Sequence, residues 1–330
     1  MRIIIFVRKE RRMKKIGIPR GMLYYENFPF WQEYFEGIGC ELVESPKTNK
    51  EIMDKGILSS VDEACLPVKI THGHVNYLKD KVDYIFLPRF ISLHKMEYCC
   101  PKILGLPEMI INSIDDLPEI IQIDINLYRR NELKNSFQEL GKSLGVSKEV
   151  SNKSFRKALK KLSNYQGWLK EELFPKGYSF KEGNISILVL GHSYNVYDEF
   201  LNMGVLGKLQ ERDINIFTAE ELDDDIIRKY SNFTNKRIFW THGRRILGAS
   251  KYHLKKATID GIIYLSSFGC GLDSVLSHFV LKQANLYNVP FMLLTLDEQT
   301  GEAGFNTRLE AFLDMMKWRD RNQSHISTFR

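Results

Sequence analysis

The chain has 330 residues, 43% hydrophobic and 27% charged, the balance of an ordinary soluble globular protein. At roughly 150 residues per domain this leaves room for about two cores. The formal charge of +6 is concentrated partly in one tail, where Arg2, Arg8, Lys9, Arg11, Arg12, Lys14 and Lys15 face only Glu10. No basic stripe interleaved with aromatics follows, which argues against nucleic acid as a partner.

Met1–Val7 is apolar but far too short to span a bilayer, and no small-residue cleavage site follows it. No membrane association is expected. Met13 followed by Lys14-Lys15-Ile16-Gly17-Ile18 reads as the start of a first strand, so residues 1–12 read as an N-terminal extension. A cytoplasmic protein is expected, and there cysteines serve metals or redox chemistry more often than disulfides.

Short apolar runs that end in turns then alternate with helical stretches. Ile16–Pro19 predicts a strand, Tyr24–Gly39 an aromatic-rich helix closed by glycine, and Cys40–Val43 a second strand. Glu51–Ser60 and Val68–Lys79 predict helices, Tyr84–Leu87 a strong strand, and Ile120–Asp124 a further one. Residues 126–183 differ: the stretch is polar and lysine-rich, with Leu140, Leu144, Phe155, Leu159, Leu162 and Trp168 as its apolar stripe, and reads as a helical connection. Strands resume at Ile185–Leu190, Ile214–Phe217, Arg237–Thr241, Gly261–Leu265 and Phe291–Leu296, with helices at Val275–Tyr287 and Leu309–Arg319. The alternation predicts an α/β fold: two parallel-sheet domains, 13–125 and 184–330, joined by a helical segment.

In such sheets the loops beyond the strand C-termini converge on a ligand crevice. Cys270 follows Tyr264-Leu265-Ser266-Ser267 and so sits on such a loop; Cys99 and Cys100 lie about a dozen residues beyond Tyr84–Leu87; Cys65 precedes a proline-started helix. Adjacent Pro or Gly bends the chain so that a sulfur can leave the packing, which an iron–sulfur cluster requires of its thiolates. Glycines around Cys270 also let backbone N–H groups approach. Cys40, in Gly37-Ile38-Gly39-Cys40-Glu41-Leu42, reads instead as a small buried hydrophobe. Structural zinc sites draw ligands from close Cys-x-x-Cys pairs, and none occurs here.

Other polar groups cluster near these positions. Gly191-His192-Ser193-Tyr194-Asn195 directly follows a strand, so His192 and Tyr194 are candidates for hydrogen-bonding a substrate, against a plain helix cap. In Thr71-His72-Gly73-His74 the i, i+2 spacing faces the rings apart on a helix; His72 is the one placed toward Cys65. Lys69 and Lys102 read as neighbours of the thiols or as solvated helix ends, and Asp297, Glu298, Glu302 and Arg308 as a charged loop and helix cap. Neither a Gly-x-Gly-x-x-Gly after a strand nor a Gly-x-x-x-x-Gly-Lys-Ser/Thr occurs, so no nicotinamide or ATP site is expected.

Ile16-Gly17-Ile18-Pro19-Arg20-Gly21, Asp62-Glu63-Ala64-Cys65, Tyr98-Cys99-Cys100-Pro101-Lys102, Ser267-Phe268-Gly269-Cys270-Gly271-Leu272-Asp273 and Leu296-Asp297-Glu298-Gln299-Thr300-Gly301-Glu302-Ala303-Gly304 together resemble the acyl-CoA dehydratase activase-related proteins, relatives of 2-hydroxyacyl-CoA dehydratase and benzoyl-CoA reductase subunits. The resemblance runs from about residue 14 to the C-terminal helix. It implies two Rossmann-like parallel-sheet domains holding an iron–sulfur cluster, 4Fe-4S or a larger double-cubane type, on Cys65, Cys100 and Cys270. Cys99 departs from the family's single cysteine and stands as an alternative to Cys100. It further implies a separate ATP-hydrolysing activase that supplies low-potential electrons, a small substrate such as an acyl-CoA thioester, and a homodimer or a heterodimer with a related subunit. A non-catalytic electron-transfer or scaffold subunit is the rival reading.

Overall fold

Two four-stranded sheets, each wholly parallel, organise the chain. The computed structural model describes residues 13–126, 129–163, 184–232 and 238–326. The extension 1–12 and Trp168 therefore lie outside the described residues.

The first half runs β1 (Lys15–Ile18), α1 (Tyr24–Gly37), β2 (Glu41–Glu44), α2 (Lys50–Leu58), α3 (Leu66–Leu78), β3 (Tyr84–Phe86), β4 (Arg89–Ser92), α4 (Pro101–Leu104), α5 (Leu106–Ile111), β5 (Glu119–Ile121), β6 (Asp124–Asn126), α6 (Arg130–Ser143) and α7 (Lys148–Ser163). The second runs β7 (Ser186–Gly191), α8 (Ser193–Val196), α9 (Val205–Gln210), β8 (Asn215–Thr218), α10 (Asp224–Tyr230), α11 (Thr241–Lys256), β9 (Gly261–Ser267), α12 (Gly271–Leu286), β10 (Phe291–Leu296) and α13 (Glu302–Ile326).

Strand order is β2-β1-β3-β5 in the first sheet and β10-β9-β7-β8 in the second. In each, the chain leaves one strand toward one edge and later returns to its other side, so the order reverses between β1 and β3 and again between β7 and β9. Those reversals open crevices beyond the strand C-termini. The two-sided burial of β9, all seven residues inside, accounts for its unbroken apolar run rather than an alternating one.

Three expectations need correction. The single strand read at Ile120–Asp124 is two short strands in different sheets, because Leu87 and Arg89 N–H groups donate to the carbonyls of Ile121 and Ile123 while β6 pairs with β4. Of the strand read at Arg237–Thr241, residue 237 is outside the described residues; Trp240 makes one isolated bridge with Tyr98, and Thr241 already begins α11. The apolar Ile238-Phe239-Trp240 run thus docks on a loop of the first half instead of entering a sheet. In the polar stretch after residue 126, Leu133, Phe137, Leu140, Leu144, Phe155 and Ala158 bury against the first core, whereas Leu159 faces out. Ring contacts of Phe30 with Phe137 and Phe155, at 5.0 and 5.6 Å, clamp these helices to α1.

The halves are sewn together by buried polar contacts. Arg244 Nε donates to Glu97 at 2.8 Å and its Nη2 to Asp224 at 2.6 Å, with Arg244 and Glu97 both inaccessible. Removing one partner of such a pair strands a charge, at a cost of about 3–5 kcal/mol. Thr48 lies between His74 and Asp198, and Lys69 pairs with Glu298 at 2.7 Å. Serving this clamp, α3 must lie hard against α2: a Cβ on Gly73 would stand 1.9 Å from the Ile52 carbonyl oxygen, and one on Gly56 2.0 Å from that of Lys69.

Gly73→Ala should therefore lower stability by about 1–3 kcal/mol or more through overpacking. Urea unfolding measures this; an unchanged midpoint and slope would show that α2 and α3 do not meet so closely.

Candidate functional site

Four helices begin at one place. Cys65 is the N-cap of α3, Cys100 of α4, His192 of α8 and Cys270 of α12, all in extended backbone. Proline at the start of α3 and α4 costs no hydrogen bond there, since the first helical N–H has no partner in the helix. Each cysteine is thus turned back over its own first turn. Asp273 N–H donates to Cys270 Sγ at 3.5 Å, whereas Cys65 and Cys100 hold the same cap position without a side-chain cap bond. One local device, repeated three times, offers sulfur to a common space.

That space is a cavity of about 290 Å³ between the halves, lined by all three thiols, by His192, Tyr194, Trp240 and His242, and by the first turns of α4 and α12. Gly269, with φ of +75°, brings its loop within 3.5 Å of the Cys65 Cα, measured from where a Cβ would stand. That left-handed turn is open to glycine at little cost. Cys65 and Cys270, from opposite halves, are thereby neighbours.

Electrostatics agree with the geometry. Burial pushes the Cys65 thiol up, with Lys102 opposing it; burial likewise raises Cys100. Cys270 is raised furthest, by burial and then by the Asp273 carboxylate. The Tyr194 phenol, raised by burial, also feels Cys270, Cys100 and Cys65. As thiols these groups are protonated at neutral pH; a cation that binds them must displace the protons.

His192 is inside, with Nε2 3.3 Å from Asp273 Oδ1 and 4.0 Å from Cys270 Sγ, and burial lowers its pKa. Its Nδ1 and the Nε2 of His242 are buried without a hydrogen-bond partner. The His192 ring stacks on Tyr194 at 5.0 Å and meets His242 edge-on at 5.5 Å. Behind them Glu26, within α1, accepts from Ser193 at 2.6 Å and lies 3.5 Å from His242 and 3.4 Å from Arg245. Burial alone would raise that carboxyl, but Arg245, His242 and Ser193 outweigh it and hold it well below the usual range.

Of the residues singled out in the sequence, Cys65, Cys100, Cys270, His192, Tyr194 and Lys102 meet at this cavity. Cys99 does not: its side chain is in the first hydrophobic core, 6% exposed, with its thiol pushed up to about 12 by burial, Glu26 and Cys100. Cys40 is in the same core. His72 turns away, its Nδ1 2.8 Å from the Val68 carbonyl, and His74 meets Thr48. Glu298 pairs with Lys69, Glu302 with Lys208, Asp297 caps its own loop and Arg308 donates to the Leu293 carbonyl. Sequence reasoning missed Asp273, His242, Trp240 and Glu26. The acid three residues after Cys270 and an acid in the first turn of an aromatic helix were the available signals; nothing in the sequence marked His242.

A thiol is reactive as its thiolate, so all five free cysteines should alkylate slowly at neutral pH and faster as pH climbs above about 9. Half-buried Cys100 should label with iodoacetamide several-fold sooner than its buried neighbour Cys99, whose thiol is also the more strongly raised of the two. Peptide mass spectrometry against time reads the order; early labelling of Cys99 would contradict this side-chain placement.

The donors suit a thiophilic metal group: three sulfurs from both halves, a backbone N–H on Cys270 Sγ, and the adjacent His192 Nδ1, buried without a partner. No helix is long and apolar enough to cross a membrane, among the described residues. Residues 15–222 match the family described as the CoA enzyme activase uncharacterised domain, and residues 196–316 match the 2-hydroxyglutaryl-CoA dehydratase D-component. The first stretch contains Cys65, Cys100 and His192; the second contains His242, Cys270 and Asp273. No curated protein matches the chain in sequence. A solved structure of the P. aeruginosa solute-binding protein FpvC with Ni²⁺ is similar at 12% identity over 95% of this chain and 98% of that one, with a TM-score of 0.30, too low to carry an argument. With more than half its length in the first match, the chain belongs to the family of the CoA enzyme activase uncharacterised domain and is related in its second half to the 2-hydroxyglutaryl-CoA dehydratase D-component.

Proposed function

We propose that this protein is an iron–sulfur protein of acyl-CoA dehydratase type, which takes low-potential electrons from a separate ATP-hydrolysing activase and passes them to a small substrate. The observation that carries this is the placement of Cys65, Cys100 and Cys270, from three helix starts and both halves, around one cavity. Both family matches support the dehydratase-type assignment, and the activase family match supports an activase partner.

Cys65, Cys100 and Cys270 would hold the cluster, 4Fe-4S or a double-cubane type; Cys99, inside the core, would not. When bound, such a cluster supplies one-electron chemistry at low potential, tuned by burial and by hydrogen bonds to sulfur. The chain's own part is to exclude water and to hold the substrate. Met22, Ile103, Trp240, Leu272 and Val275 make most of the wall apolar, which strengthens every charge interaction inside. His192, Tyr194 and His242 are the polar groups within reach of a substrate there, and Lys102 is the cation on the wall. These non-thiol groups favour a reacting site over a pure relay, since a relay needs none of them. An acyl-CoA thioester would enter by its acyl end. A cytoplasmic setting and a dimer complete the reading.

Protein purified without oxygen should contain iron and acid-labile sulfide in matched amounts. Cys65→Ala, Cys100→Ala and Cys270→Ala should each lose most of both, and Cys99→Ala should keep them. Zinc alone, no metal, or full iron retention in Cys100→Ala would refute this assignment.

A further inference from the structure

We infer that Asp273 is a positioning residue of an electrostatic kind: its fixed negative charge beside Cys270 holds the potential of the thiol-bound centre low. The inference rests on the iron–sulfur reading above. Asp273 is fully buried, on the first turn of a 16-residue helix, where the helix dipole favours an anion. Its Oδ1 accepts from the Tyr264 hydroxyl at 2.9 Å and its Oδ2 from the Ser267 N–H at 3.3 Å. A carboxylate oxygen of Asp273, His192 Nε2 and Cys270 Sγ all lie within 4.8 Å of one another.

Among the described residues the basic group paired with that carboxylate is His192, with Nε2 at 3.3 Å. Its Nδ1 is buried without a partner, so the site satisfies a neutral ring that donates from Nε2 better than an imidazolium with a stranded N–H. Lys102, the cation lining the cavity, donates to the Glu63 carbonyl at 2.9 Å, two residues before Cys65. The Asp273 charge therefore acts first on Cys270, whose Sγ its own N–H meets at 3.5 Å, and reaches Cys100 as well. Asp273 is 0% exposed, so solvent screens it weakly, and its charge opposes the addition of an electron to anything bound at Cys270. This places a thermodynamic cost on reduction that an ATP-driven donor can meet and an ordinary one cannot.

A purely structural Asp273, anchoring α12 to β9, makes a different prediction. Asn keeps an oxygen for Tyr264 and Ser267 but loses the charge; Glu keeps the charge but lengthens the arm. The test is a spectroscopic redox titration of anaerobically prepared wild type, Asp273→Asn, Asp273→Ser and Asp273→Glu, with iron content and circular dichroism on each. The charge-removing variants should be reduced at least tenfold more completely at the same solution potential, an upward midpoint shift of about 59 mV for one electron. Asp273→Glu should stay within a few-fold of wild type. Asp273→Ser carries the test if Asp273→Asn does not fold. Unchanged potentials in iron-loaded variants, equal shifts in the Glu and Asn proteins, or folded Asp273→Asn without iron would overturn this inference and leave the iron–sulfur reading standing. A wild type that binds no iron overturns both.

Discussion

A residue at the N-cap of a helix is held in extended backbone with its side chain folded over the first turn, and this constraint underlies the whole site. Three cysteines occupy that position, so each sulfur is placed by its own helix, and Cys270 Sγ also accepts an N–H the helix cannot otherwise use. Loops can drift, but α3 and α12 are 13 and 16 residues long and packed on sheets, so the sulfurs inherit the rigidity of the cores.

Bringing the helix starts together is the work of sheet topology. His192 and Cys270 follow β7 and β9, the two strands that flank the reversal in the second sheet; Met22 follows β1, beside the reversal in the first. The crevices of the two sheets face each other across one gap. Holding them so are the Arg244–Glu97 pair, the Glu26 group with Ser193 and Arg245, and the Lys69–Glu298 bridge. None of these contacts lies within one half.

Much of this was legible in the residues. Parallel α/β layering followed from alternating apolar runs, and the bends at Pro101 and around Gly269 and Gly271 marked Cys100 and Cys270. Between Cys99 and Cys100 the sequence offered only the adjacency of Pro101, which left Cys99 as an alternative; the direction of the chain at the start of α4 sends one sulfur to the cavity and the other to the core. His72 illustrates the opposite failure. Two turns from Cys65 places it under the same helix face only if that face meets the cavity, and α3 instead turns it toward the Val68 carbonyl. The Ile238-Phe239-Trp240 run carried a strand's composition but packs on the loop at Tyr98, a tertiary choice that composition does not encode. His242 and Glu26 depend on contacts between residues more than two hundred positions apart.

The near approach of Gly269 to Cys65 has a consequence for what the isolated halves can do. Cys65 and Cys100 belong to one and Cys270 to the other. A fragment ending in the connecting segment would carry two sulfurs, and its complement one; neither is a thinner version of the whole site. Three-point capture is a property of the docked pair, so affinity for a multi-iron group and the integrity of the interface are the same measurement taken from two directions.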